Sequence, residues 1–223
     1  MVIEFVVATR ESVAGYPQTP LGMSLQRIAR NPNVRSVVFH ENARGLPELY
    51  NQRIAAADAS DILAFVHDDI WIEDFYVSDR LVAALQHFDI VGLAGSRRRA
   101  PQQRVWAHEP GRETELSPYL AGAIAHGDKP LGEIGFFGPI IAEVELLDGV
   151  FIAARRSSLL RTGVRFDPRF DFHFYDLDFC RSARQAGLRL GTFPLSATHR
   201  STGGFFTESW SRMADLYFAK WRN

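Results

Sequence analysis

The chain has 223 residues, 46% hydrophobic and 23% charged, with a formal net charge of −1. This length suits one large α/β domain, and the apolar share is enough for a full core and argues against disorder. The near-neutral balance gives no electrostatic reason to expect a nucleic-acid partner. Lys129 and Lys220 are the only lysines, so the positive charge is almost all arginine. Arginine's planar fork suits phosphate, although an arginine-rich genome supplies the same bias. Cys180 is the single cysteine. That excludes an intrachain disulfide and a thiolate metal cluster, and is consistent with a reducing compartment. Glu4 stands where a signal peptide needs a basic region, and no apolar run approaches ~20 residues. The expectation is a cytoplasmic protein with no transmembrane segment.

In chain order, Val2 to Ala8 is a β-branched run suited to a strand buried on both faces. Thr19-Pro20 forms an N-cap followed by proline at the first helical position and opens a helix to about Arg30. A strand follows from Val34 to Phe39, then a helix from Pro47 to Ala57. The strand Ile62 to Val66 runs straight into His67-Asp68-Asp69. A helix from about Asp79 to Phe88 and a strand from Ile90 to Ala94 complete a β-α-β-α-β rhythm. The fold class this predicts is α/β, a single open, mostly parallel nucleotide-binding sheet flanked by helices.

Residues 96–145 break the rhythm with Arg97-Arg98-Arg99, prolines and glycines, and no long periodic segment. Such a stretch inside a compact domain is usually functional, and a mobile acceptor-side insertion is expected. Leu146 to Ala154 is a strand interrupted by Asp148-Gly149. Asp176 to Ala186 is amphipathic, with Gly187 as its C-cap. Leu188 to Phe193 is another strand, and a C-terminal helix spans about Thr207 to Trp221. The whole chain forms one domain, with a nucleotide-binding half (1–95), the insertion (96–145) and an acceptor and catalytic half (146–223).

Three groups of residues carry candidate chemistry. Phe65-Val66-His67-Asp68-Asp69 delivers two carboxylates and an imidazole beyond a strand's carboxyl end, where open parallel sheets bind ligands. Hard cations favour such oxygens and can bridge to a diphosphate, while the bland alternative is an acidic turn. Asp176 and Asp178 open a helix, where acids suit the macrodipole and where one carboxylate could instead act as a general base. His199 precedes Arg200-Ser201-Thr202-Gly203-Gly204, a turn that lets backbone approach a ligand and sets an imidazole beside it.

The order of these motifs resembles the glycosyltransferase A-type fold, in particular the bacterial family-two-like transferases. The stretches carrying the resemblance are GLPELYNQRIAAADASDILAFVHDD, ELLDGVFIAARRSSLL, FDPRFDFHFYDLDFCRSARQAGLRLGTFP and HRSTGG. Two departures stand out: the acidic triplet opens with His67, and the second strand runs into His40-Glu41-Asn42 where the family usually has aspartate. The resemblance implies that Asp69 and His199 hold a divalent cation, Mn²⁺ or Mg²⁺, on the donor diphosphate. It also implies that Asp68 faces the ribose or the metal shell, with Thr9 and Glu41 bordering the base and ribose. Asn51 falls on a donor-side asparagine whose alternative is a structural hydrogen bonder. Asp148-Gly149 lies where backbone passes the donor sugar, and Asp176 matches the catalytic base, with Asp178 supporting the helix start.

The implied function is a metal-dependent, inverting transfer of a sugar from a nucleotide sugar, UDP-sugar favoured, to a hydroxyl of a carbohydrate or glycolipid-type acceptor. One rival is a UDP-binding protein of the same fold without transfer activity. A sugar-phosphate nucleotidyltransferase is the other, but the segment Arg10 to Gly22 lacks the glycine-rich basic loop it needs.

Overall fold

The computed structural model describes residues 1–112, 114–200 and 206–222. Its elements, in order, are β1 (Ile3–Ala8), α1 (Pro20–Arg27), β2 (Val34–Phe39), α2 (Leu46–Ala55), β3 (Ile62–Val66), β4 (Ile70–Ile72), α3 (Val77–His87), β5 (Ile90–Gly92) and β6 (Ala94–Ser96). The second half follows with β7 (Leu120–His126), β8 (Glu133–Phe136), β9 (Glu143–Val144), β10 (Leu146–Leu147), β11 (Phe151–Arg155), α4 (Arg156–Thr162), α5 (Tyr175–Gln185), β12 (Leu190–Thr192), β13 (Ala197–His199) and α6 (Glu208–Trp221).

A seven-stranded sheet has the order β2-β1-β3-β11-β5-β12-β9. β1 is a continuous apolar run because both of its faces are covered. Ile3, Phe5 and Val7 pack on one side with Leu21 and Leu25 of α1 and Leu81 and Leu85 of α3. Val6 packs on the other with Tyr50 of α2, Phe179 of α5 and Tyr217 of α6. Glu4 shares that second side, fully buried, and is held by Arg53 Nε at 2.6 Å and Arg35 Nε at 2.7 Å. The acid therefore ties β1 to β2 and α2.

The predicted α/β class is the observed one, with less parallel pairing than expected. β1 lies parallel to β2 and β3, and β5 to β12. β11, however, runs antiparallel to both β3 and β5 in the middle of the sheet. A second, six-stranded sheet is built from β10-β6-β7-β13-β4, with β8 paired to β7. Much of it comes from residues 96–145, which show no strand period. β7 has the small-residue sequence LAGAIAH, and its extended form is set by its partners β6, β8 and β13.

Five times the chain passes from one sheet to the other across at most four intervening residues: between β3 and β4, β5 and β6, β9 and β10, β10 and β11, and β12 and β13. The interruption of the 146–154 strand at Asp148-Gly149 is one of these crossings. Backbone that switches sheets presents side chains at the seam, and the acidic motifs cluster there.

Candidate active site

His67, Asp68 and Asp69 occupy the β3–β4 crossing, where the chain turns after β3, and Asp68 lines a different cavity from its two neighbours. Asp68 accepts a hydrogen bond from Thr9 Oγ1 at the end of β1. Both line a cavity of 570 Å³ with Arg10, Asn42, Arg44 and Phe172. His67 and Asp69, two residues apart, line a separate cavity of 270 Å³ with Asp148, Gly149, Asp176 and His199. Phe172, 52% exposed, borders both cavities and stacks on the His67 ring at 5.4 Å between centroids.

In the smaller cavity, one ligand atom each from His67, Asp69 and His199 lies within 4.8 Å of the others. His199 Nε2 approaches Asp69 Oδ2 to 3.4 Å, and His67 Nδ1 approaches Asp69 Oδ1 to 4.0 Å. Asp69 Oδ1 and His199 Nε2 are buried with no hydrogen-bond partner among the described residues. Unsatisfied buried polar atoms are costly, and two of them facing one point fit a cation held there. The donor set of two imidazoles and a carboxylate suits Mn²⁺ at least as well as Mg²⁺.

The tautomer of His67 follows from its neighbour. Tyr175 Oη donates to the Gly149 carbonyl at 2.8 Å, and His67 Nε2 lies 2.8 Å from the same hydroxyl. A carbonyl only accepts, so the tyrosine proton points to Gly149 and His67 must donate from Nε2. Its Nδ1 lone pair then faces Asp69, as second-sphere partners arrange for metal-binding imidazoles. Burial lowers the His67 pKa, keeping the ring neutral, and pushes the Tyr175 hydroxyl well up. Burial also opposes protonation of His199, but the Asp69 carboxylate outweighs it and the net direction is up. Burial works to raise Asp69, and the two imidazoles overcome it, so that carboxylate is lowered.

Asp176 stands in the first turn of α5 and accepts from the Gly149 N–H at 3.1 Å. Gly149 is thus clamped on both sides, by Tyr175 at its carbonyl and Asp176 at its amide. A Cβ at Gly149 would sit 2.6 Å from Tyr175 Oη and 3.0 Å from Asp176 Cβ, so only glycine permits this approach. Burial, and then the charge of Asp148, raise the Asp176 pKa to about 7. A carboxylate poised near neutrality is suited to moving a proton. Asp148 itself caps the turn, accepting from the Val150 N–H at 3.1 Å.

Other sequence candidates lie elsewhere. Both ends of the Asn51 amide bond the backbone of Phe166, donating at 2.7 Å and accepting at 3.0 Å. This is the structural role weighed against donor contact. Glu41 is exposed at a left-handed turn with φ 47°, and its neighbour Asn42 lines the larger cavity instead. Asp178 is fully buried and joins α5 to α6 through Lys220 Nζ at 2.6 Å and Trp221 Nε1 at 2.8 Å. Arg98 lies over the Tyr119 ring at 5.0 Å and donates to its hydroxyl at 3.1 Å, pinning the base of the insertion. Gly203 and Gly204 lie outside the described residues.

His67 as a candidate ligand is the main addition to the sequence reading, and the signal for it was present. His67 directly follows β3 beside the acidic pair and lines the same cavity as Asp69. The cavity also brings in Arg104, Trp106, His108 and His126 from segments without motifs.

Among solved structures, the chain is similar to GalNAc-T7 in a crystal structure with UDP, GalNAc and Mn²⁺. The TM-score is 0.59 at 10% identity, covering 99% of this chain and 49% of that one, about half its length. It is also similar to a mutant Drosophila β1,4-galactosyltransferase 7 in complex with manganese, UDP-Gal and xylobiose, with a TM-score of 0.53 at 13% identity over 96% of this chain and 79% of that one. A197 from STIV matches with a TM-score of 0.51 at 13% identity, over 94% and 87%. No protein-family model matches the chain, and no curated relative does. The fold is the glycosyltransferase A type. Among the described residues, no helix is long and apolar enough to cross a membrane.

Proposed function

We propose that the protein is a cation-dependent glycosyltransferase that moves a sugar from a nucleotide sugar to an acceptor hydroxyl with inversion. The observation that carries this reading is one cavity holding a half-buried His-Asp-His cluster, two of whose ligand atoms are buried without partners among the described residues, beside a carboxylate poised near neutral pH. The similar structures with manganese and UDP support a UDP-sugar donor and Mn²⁺ or Mg²⁺. His67, Asp69 and His199 would hold the cation, which when bound offsets charge on the departing nucleoside diphosphate. Thr9 and Asp68, with Asn42 and Arg44, border the larger cavity, which has room for a nucleoside.

Asp176 takes the proton of the acceptor hydroxyl as the oxygen bonds to the anomeric carbon. The bond from that carbon to the diphosphate breaks, and its electron pair leaves on the phosphate oxygen. Gly149 and Tyr175 keep the base and His67 in register. The acceptor is a carbohydrate or a glycolipid-type hydroxyl. Calorimetry with UDP, GDP and CDP, each with and without Mn²⁺, is the test. Tight binding of UDP only with the cation is the expected result; equal binding with and without it would defeat the reading.

A further inference from the structure

Arg104 belongs to no motif and has no part in the proton transfer above, yet it lines the cavity that holds Asp176. Its backbone is fixed from beneath by the buried Gln103. That side chain accepts from the Ala100 N–H at 2.8 Å and donates to the Val105 and Trp106 carbonyls at 3.0 and 3.1 Å. Val105 and Ala107 are buried on either side of the half-buried Trp106. The Arg104 guanidinium lies 5.6 Å from the Phe218 ring centre and 6.0 Å from that of Trp210, both on α6. Among the described residues, no carboxylate comes within ion-pair distance of it. Glu109, which lines the small adjoining cavity with Arg104, is engaged by Ser117 Oγ at 3.5 Å.

A cation held by aromatic faces on a fixed backbone, with no counter-charge among the described residues, is a recognition device for an anion. The cation cluster and the base take up the carboxylates at the seam, so Arg104 is left to face whatever enters beside Trp106 and Trp210. We infer that the acceptor carries a fixed negative charge, a phosphate or a carboxylate close to its reacting hydroxyl, and that Arg104 binds it. The inference rests on the transferase reading above and sharpens its acceptor class. Trp106, half-buried, borders the same cavity and offers an apolar face for the uncharged part of the acceptor, with the buried Trp210 lining the cavity behind it.

The test measures binding of two pairs of probes to the full chain saturated with UDP and Mg²⁺, by ligand-observed saturation-transfer NMR. The pairs are glycerol 3-phosphate against glycerol, and methyl β-glucuronide against methyl β-glucoside. The expected result is that at least one anion binds about 10-fold or more tightly than its neutral partner. Arg104→Gln should erase that preference and Arg104→Lys retain part of it, with UDP affinity unchanged in both. Whichever anion is preferred identifies phosphate or carboxylate as the source. UDP binding without any anion preference, or a preference that survives in Arg104→Gln, overturns the inference alone. Anion preference without UDP binding overturns the transferase reading, and with it the acceptor role, while leaving Arg104 an anion site; binding of neither overturns both.

Discussion

The two cavities that meet at Phe172 differ in how their polar groups are satisfied. In the larger one, Asp68 is bonded by Thr9, and the Asn42 side chain is committed to the Arg44 backbone at 2.8 and 3.0 Å. In the smaller one, Asp69 Oδ1 and His199 Nε2 are buried with no hydrogen-bond partner among the described residues, and Asp176 is raised to about 7. The difference arises from one step of backbone, because Asp68 and Asp69 point to opposite sides of the same crossing. A settled polar surface suits recognition of a ligand that comes and goes. A strained electrostatic one suits a cation and a proton, since perturbed groups concentrate where chemistry occurs.

The sharpest attack on this contrast is Asp176→Asn. Asparagine can still accept from the Gly149 N–H, so the variant should fold and bind UDP as the parent does, while sugar transfer falls by roughly 10²–10⁴-fold. Parental transfer should rise with pH through about 7, because the base works only when deprotonated. The raised acid also costs the folded state stability. That cost sets in above the ordinary carboxylate range and is complete above about 7, so Asp176→Asn should melt at or above the parent temperature at pH 8. Transfer by the variant at the parental rate would remove Asp176 from its role.

Comparing Asp69→Ala with Asp68→Ala probes the single backbone step directly. Asp69→Ala should weaken Mn²⁺-dependent UDP binding by about 10²-fold and abolish the gain from the cation. Asp68→Ala should weaken UDP by about 10-fold while the ratio with and without Mn²⁺ stays parental. Identical calorimetric signatures for the two variants would erase the distinction between the cavities.

Gly149→Ala is a smaller steric test of the clamp. The added methyl meets the Tyr175 hydroxyl, and the overpacking should cost about 1–3 kcal/mol in a denaturant titration. Mn²⁺ affinity should drop with it, because His67 loses the partner that fixes its tautomer. Stability lost without any change in Mn²⁺ affinity would confine Gly149 to packing.

The mildest expected effect concerns the 97–119 segment, which forms the Arg104 wall. Its amides should gain protection from hydrogen exchange by severalfold when UDP and Mn²⁺ bind, as lid segments do. β7, paired on both edges, should change little. Equal strong protection of both regions without ligand would make the insertion a rigid wall.

Local sequence determined a good deal here. β1 and β3 were legible because strands buried on both faces are written as unbroken apolar runs. α1 was legible because Thr19 caps it, accepting from the Gly22 N–H at 3.0 Å with Pro20 following. Asp68, Asp69 and Asp176 stood out because strand ends and helix starts are local features with their own residue preferences. The second sheet was not legible, since β7 is made of small residues that become a strand only between partners distant in the chain. Asn51 and Glu41 could not be placed by local pattern either: one is drawn to the Phe166 backbone, and the other is turned to solvent by a left-handed residue. The His67–Asp69–His199 cluster needs residues some 130 positions apart to meet at a seam between two sheets. The tautomer of His67 and the place of Arg104 beside Phe218 and Trp210 need α5 and α6 docked as well. Distance along a chain carries no record of which buried atoms are left without partners, and that is what tertiary packing alone decided.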